Sequence, residues 1–195
     1  RYNYFYASYV ASSGDLNKAK KIIQSALKTN PSNLLLNQYK INLDENKNIF
    51  DFDCQKEEHV ISEILYITAN AFSSQSIFPL SNFFLNLSKF LNEDFYHYDT
   101  LLAENFYKID NLDRAKKIYK NLNEKGEAFS WYSSKQLARI FSREQNKKKA
   151  LEILSDAYNK LETKDIYVTF DYAEFLKNNE KFQEAIFYYS KIINE

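Results

Sequence analysis

The chain has 195 residues, 45% of them apolar, with only two glycines and two prolines. So little turn material excludes all-β architectures and leaves helices. Lys plus Arg balances Asp plus Glu at 26 each, which offers no field to draw in nucleic acid or an anionic membrane, and the single Cys54 excludes an internal disulfide.

No apolar run reaches the roughly 18 residues of a membrane-crossing helix, so direct membrane insertion is not expected. Met is absent and the first residue is Arg1; we read the chain as a piece of a longer protein, which leaves its compartment open.

In chain order, the first predicted helix is centred on Ala7. The turn Gly14-Asp15-Leu16 leads into a second helix carrying Ala19, Ile23 and Ala26, which stops at Pro31. The next helix is "LLLNQYKINL" (34–43), with Ile41 in the place of Ala7. "DENKNIFDFDCQKEEH" (44–59) then fills the space where its partner helix belongs. We expect three parts: residues 1–46 holding unit 1 and the first helix of unit 2, an irregular shortened segment at 47–58, and units 3 to 6 over 59–195. A bend or break is expected near 44–58.

From there a period takes over. Ala69, Ala103, Ala138 and Ala173 are separated by 34, 35 and 35 residues, and Ser81, Ala115, Ala150 and Ala185 by the same intervals. Each pair lies twelve residues apart, as do Ala7 and Ala19. "TLLAENFYKI" and "DRAKKIYKNL" show the unit plainly: two amphipathic helices, each with one small residue, joined by "DNL". A small residue at the crossing lets antiparallel neighbours approach closely. "LNKAKKI" at 16–22 returns as "LDRAKKI" at 112–118 because both are the second helix of a unit.

These residues resemble the tetratricopeptide repeat (TPR) family. The match is carried by Ala7, Ala19, Ala26 and Pro31 in the first unit and by Ala69, Phe72, Ser81, Leu85 and Ser88 in the third. It continues with Leu102, Ala103, Phe106, Ala115 and Tyr119 in the fourth, Leu137, Ala138, Phe141, Ala150 and Ala157 in the fifth, and Tyr172, Ala173, Phe182, Ala185 and Tyr189 in the sixth. The family's aromatic at the start of the first helix is missing, and its terminal proline survives only as Pro31. The resemblance implies an all-α, right-handed superhelical solenoid of antiparallel helix pairs. It also implies a non-catalytic scaffold whose concave face, lined by the first helix of each pair, binds a peptide or helix of another protein. Many-unit degenerate arrays of this kind point, by analogy, to a bacterial source.

Positions six and three before each small residue, and one and four after it, fall on one helix face. The candidate partner-binding stripe is therefore Tyr66 and Asn70, then His97, Glu104 and Tyr107, then Tyr132, Lys135 and Arg139, then Tyr167, Phe170, Glu174 and Lys177. Tyr, His and Arg suit protein-binding surfaces. Lys135 and Arg139 are like charges four apart, which costs about 0.2–0.5 kcal/mol. Their compensation is either a ladder with Glu104 and Glu174 of adjacent helices or an acidic group on a partner. The carboxylate clamp of chaperone-binding TPR domains is not expected: its positions hold Tyr66, Asn70, Leu101, Tyr132 and Gln136, and only Asn70 fits.

No catalytic constellation, cofactor motif or metal-ligand cluster stands out. Cys54 and His59 are five apart, but without an electropositive setting they are read as a structural cysteine and a surface histidine. Phe83, Phe84, Phe90, Phe95 and Phe141 are assigned to packing. The last helix, "EAIFYYSKII", is apolar nearly all round; such a helix needs cover, from further chain or from self-association through Phe187, Tyr188 and Ile192. The alternative function is accordingly a regulatory or oligomerisation segment of a larger protein, including an enzyme.

Overall fold

The computed structural model describes residues 1–47 and 51–194, all in helices or their connections, with no strand among them. Helices α1 (Tyr2–Ser12) and α2 (Leu16–Thr29) form a first antiparallel pair, and α3 (Leu34–Asp44) follows alone. Four further pairs come next: α4 (Glu57–Ser74) with α5 (Phe78–Leu91), α6 (His97–Lys108) with α7 (Leu112–Leu122), α8 (Glu127–Arg143) with α9 (Lys147–Lys160), and α10 (Ile166–Asn178) with α11 (Phe182–Asn194). Each pair packs on the next, giving an all-α solenoid of antiparallel helix pairs.

Local chemistry makes the hairpins. The first helix of every unit ends on a residue in the left-handed region: Gly14, Asn46, Ser76, Asp110, Gln145 and Glu180. The next N–H then reaches back five residues, as in Asn111 N to Phe106 O (2.9 Å) and Asn146 N to Phe141 O (2.8 Å). This closure satisfies carbonyls that a helix end leaves orphaned. Where the chain turns into the second helix, Asp15, Asn111 and Asn146 accept from the backbone N–H three residues on, the side-chain cap that starts a helix. At the crossing, Ala69, Ala103, Ala138 and Ala173 are wholly buried, and so are Ser81, Ala115 and Ala150 opposite them. Nothing larger fits where two helix backbones meet.

The second unit differs from the expectation built on Ile41. Aligned on the left-handed turn at Asn46, the residue in the place of Ala7 is Tyr39, which is buried, while Ile41 is only half-buried. A tyrosine is tolerated there because no second helix crosses it among the described residues. Residues 45–47 and 51–56 form turns and bends, and Asn48, Ile49 and Phe50, part of the 47–58 segment, lie outside the described residues.

Released from a partner of its own, α3 packs back on α2 and across the array onto α8. Gln38 makes that contact: its Oε1 accepts from Ala128 N (3.0 Å) and its Nε2 donates to Asn42 Oδ1 (2.9 Å). Gly126 allows the approach, with φ at 136°. The same fold-back brings α1 against the segments that lead into α4 and α6. Tyr4 lies edge-on to Tyr39 (5.0 Å between ring centroids) and against Phe95 (5.7 Å), and Phe5 packs on Phe52 (4.3 Å). One continuous core thus joins α1–α3 to α4–α6.

Two aromatic assignments are overturned. Phe95 is buried and Phe84 and Phe141 are partly buried, but Phe83 and Phe90 are 56% and 77% exposed. Both sit on the outer side of α5, where the corresponding residues of α7 and α9 are Lys117, Glu124, Glu152 and Asn159, all exposed. Helical spacing marks them as apolar; only the pairing of α5 shows that this side faces away from every neighbour.

Candidate partner-binding surface

The stripe divides into a covered part and an open part. At the covered end, Arg1 from α1's own N-cap lies over the Tyr66 ring, 3.9 Å from guanidinium carbon to centroid, and its Nε donates to Glu63 Oε1 at 2.7 Å. Tyr66 stacks on Tyr98 (5.4 Å), and the Tyr98 hydroxyl shares a hydrogen bond with Ser62 (2.7 Å). His97 packs beside Tyr66 (5.9 Å) and Phe95 (6.1 Å). Its Nδ1 is out of solvent with no hydrogen-bond partner. Burial, and then the positive charge of Arg1, push the imidazole down to about 3, so it is neutral under ordinary conditions. Tyr66 and His97 are thus roofed by the chain's own N-terminus. No sequence signal announces this, because Arg1 and Glu63 are 62 residues apart.

The middle of the stripe is an ionic and aromatic ladder. Arg139 Nη2 donates to Glu104 Oε2 at 2.8 Å, bridging α8 to α6, and its guanidinium carbon lies over the Tyr107 ring, 3.9 Å from the centroid. Arg143 continues the row with Asp110 (2.9 Å). The Tyr119 hydroxyl donates to Glu104 (3.4 Å), and burial with the neighbouring Glu104 carboxylate pushes the Tyr132 phenol up to about 12. Of the two predicted ladder partners, Glu104 is in place and Glu174 is not. Lys135 instead pairs with Asp171 on α10, and Glu174 faces Lys177 on its own helix at 4.0 Å. Asp171 lies one turn nearer the start of α10 than Glu174, level with Lys135, so the ladder runs obliquely across the helices.

Tyr167 and Phe170 form the open end, both about half exposed, with Glu174 and Lys177 beside them; Phe170 leans on Tyr189 (5.7 Å). Asn70, at the far edge of α4, is also exposed. Elsewhere, Cys54 is exposed and His59 is partly buried, accepting from Asp53 N on its Nδ1 (2.9 Å), which reverses the expected placement of the two. In α11, Phe187 is exposed, but Tyr188 turns inward and lies edge-on to Tyr158 (5.3 Å) and Tyr172 (5.0 Å). Tyr188 therefore belongs to the core, and the outward large apolar residues of this helix are Phe182, Ile186, Phe187 and Ile193.

No family model matches the sequence, and no curated protein matches it. Among solved structures, MamA aligns over 96% of this chain and 92% of its own, at 13% identity and a TM-score of 0.49. A Podosopora anserina protein designated a kinesin light chain, built of nearly identical TPR-like repeats, aligns over 100% of this chain and 93% of its own, at 13% identity and a TM-score of 0.53. The second likeness extends to the fold alone. Together with the recurring helix pairs, buried small residues and left-handed turns described above, it identifies the chain as a TPR-type repeat fold.

Proposed function

We propose that this array is a protein-interaction scaffold that grips an extended or helical segment of a partner along the open half of the stripe. The supporting observation is the Arg139–Tyr107–Glu104 arrangement. It holds a cation on an aromatic floor while leaving it exposed, and the half-exposed rings of Tyr167 and Phe170 continue the stripe on α10. A preorganised guanidinium loses little entropy on pairing with a carboxylate, and fixed rings add contact area at low cost. The favoured partner segment carries an acidic residue followed by apolar ones. Tyr66 and His97 contribute only if the N-terminal helices lift away.

The test is capture of partners from the native cell by the parent chain and by Arg139→Glu combined with Phe170→Ala. Both positions are surface-exposed, so the fold should persist. Loss of a partner that the parent retains supports this surface; identical capture by both rejects it.

A second reading, an oligomerisation segment, is favoured by the bare apolar side of α11, where Phe187 and Ile193 stand in solvent.

A further inference from the structure

Three unit-to-unit junctions repeat within the chain, and they show which register positions a junction buries. Counting from the small residue of each first helix, the fifth residue before it is Tyr98, Ser133 or Val168, each buried or partly buried against the preceding unit. The second residue after it is Asn105, Ile140 or Phe175, again buried or partly buried. On α4 the same positions are Ile64 and Ala71, and both are exposed, Ile64 by 57%. Val60, Ile61 and Ile67 extend this face. Because α3 has left for α8, no helix among the described residues covers the side of α4 that every later first helix hides.

The opposite end of the array carries the complementary surface. Counting from the small residue of the second helix, the eighth residue after it reaches the next unit in all three junctions, always touching the fourth residue before that unit's small residue. Lys89 pairs with Asp99, Asn123 Nδ2 donates to Ser134 Oγ (2.9 Å), and the Tyr158 hydroxyl bonds Thr169 Oγ1 (3.3 Å). Each junction is chemically matched in its own way: ion with ion, amide with hydroxyl, hydroxyl with hydroxyl. The two positions left at the ends of the array are Ile193 on α11, 82% exposed, and Leu65 on α4, which is partly buried. They match too, apolar with apolar. The same holds one level down. Where Asn82 of α5 accepts from Asn105 of α6 (2.9 Å), the free ends offer Ile186 and Ala71, both apolar and both exposed.

We propose that a second copy of this chain docks its α11 on the exposed face of α4, continuing the repeat register across the molecular boundary with Ile193 against Leu65 and Ile186 against Ala71. This rests on the self-association reading above and adds the surface that receives α11. The contact joins two different surfaces, head to tail, so it propagates into rows of chains instead of closing as a symmetric pair.

The experiment uses analytical ultracentrifugation of the 195-residue chain over a concentration series. The parent is expected to grow in mass with concentration. Ile64→Glu blocks the receiving face and Ile193→Glu blocks the inserted one, so each variant alone should sediment as a monomer. Mixed in equal amounts, they should give a dimer and nothing larger, since one intact junction remains. Leu65→Cys and Ile193→Cys copies, each also carrying Cys54→Ser, should form a mixed disulfide on mixing and little of either self-linked product. A parent that stays monomeric overturns this proposal and the self-association reading together. An associating parent whose Ile64→Glu variant still pairs with itself indicates an α11-to-α11 contact, which overturns the head-to-tail docking and leaves self-association standing. Peptide capture along Arg139 and Phe170 is read separately, so its failure is distinguishable from either result.

Discussion

Replacing Gly126 with alanine tests the fold-back of the N-terminal helices most directly. Gly126 sits at φ 136°, ψ 166°, a region that is in practice reserved for glycine, and forcing another residue into it costs about 1–3 kcal/mol. The added Cβ would also overlap the carboxamide of Gln38. Gln38 is buried and held at both ends, by Ala128 N and by Asn42, so it has to swing out and surrender a hydrogen bond worth about 1 kcal/mol. The sum is about 2–4 kcal/mol, concentrated where α3 meets α8. Gln38→Ala alone removes the bond without the strain and should cost about 1–3 kcal/mol, because Ala128 N is left without its partner. The double variant relieves the overlap, so the two costs should add to less than their sum. Repeat arrays often unfold piecemeal. The assay is therefore hydrogen exchange of the α3 amides and the first turn of α8, alongside a urea titration followed by circular dichroism. Unchanged α3 protection in Gly126→Ala, with stability within about 0.5 kcal/mol of the parent, would refute the reasoning.

Two buried groups should shape the pH dependence of stability in opposite directions. Loss of water around Asp51 pushes its carboxyl up to about 6 from 3.8, only partly countered by the Tyr4 hydroxyl. The folded state then holds that proton more tightly than the unfolded chain. Its contribution is present below about pH 4 and is lost as pH rises through about 6, amounting to at most about 3 kcal/mol. Asp51→Asn keeps an acceptor for Tyr4, so it should raise stability above pH 6 and change little near pH 4. His97 works the other way: with its imidazole pushed down to about 3 from 6.5, the unfolded chain takes up the proton first, and stability falls as pH drops through that window. His97→Phe should flatten this acid limb in the same melting series; an unaltered limb would show that His97 is solvated. At the helix crossing, Ala138→Leu should cost about 1–3 kcal/mol by wedging α8 from α9, seen as a lowered Tm, and an unchanged Tm would mean that the two helices do not cross at that residue.

The pairing of helices was legible in the sequence because it is enforced locally. A crossing needs a small residue on each helix about twelve positions apart, and a turn needs the left-handed residue and the capping Asp or Asn between them. Those demands recur at every unit, so Ala69 to Ala173 and Ser81 to Ala185 mark them as a period. Helical geometry also placed Glu104 and Arg139 at matching positions of adjacent first helices, where they form a bridge. The period is silent about contacts between units that are not neighbours. That α3 would dock on α8 through Gln38 and Gly126, 88 positions apart, or that Arg1 would roof Tyr66, depends on single side chains meeting once in space, with no second instance to establish a pattern. The exposure of Ile64 on α4, like that of Phe83 and Phe90 on α5, belongs to the same class: the sequence marked these residues as apolar, and only the three-dimensional path of α3 decided that no helix among the described residues would cover that side of α4.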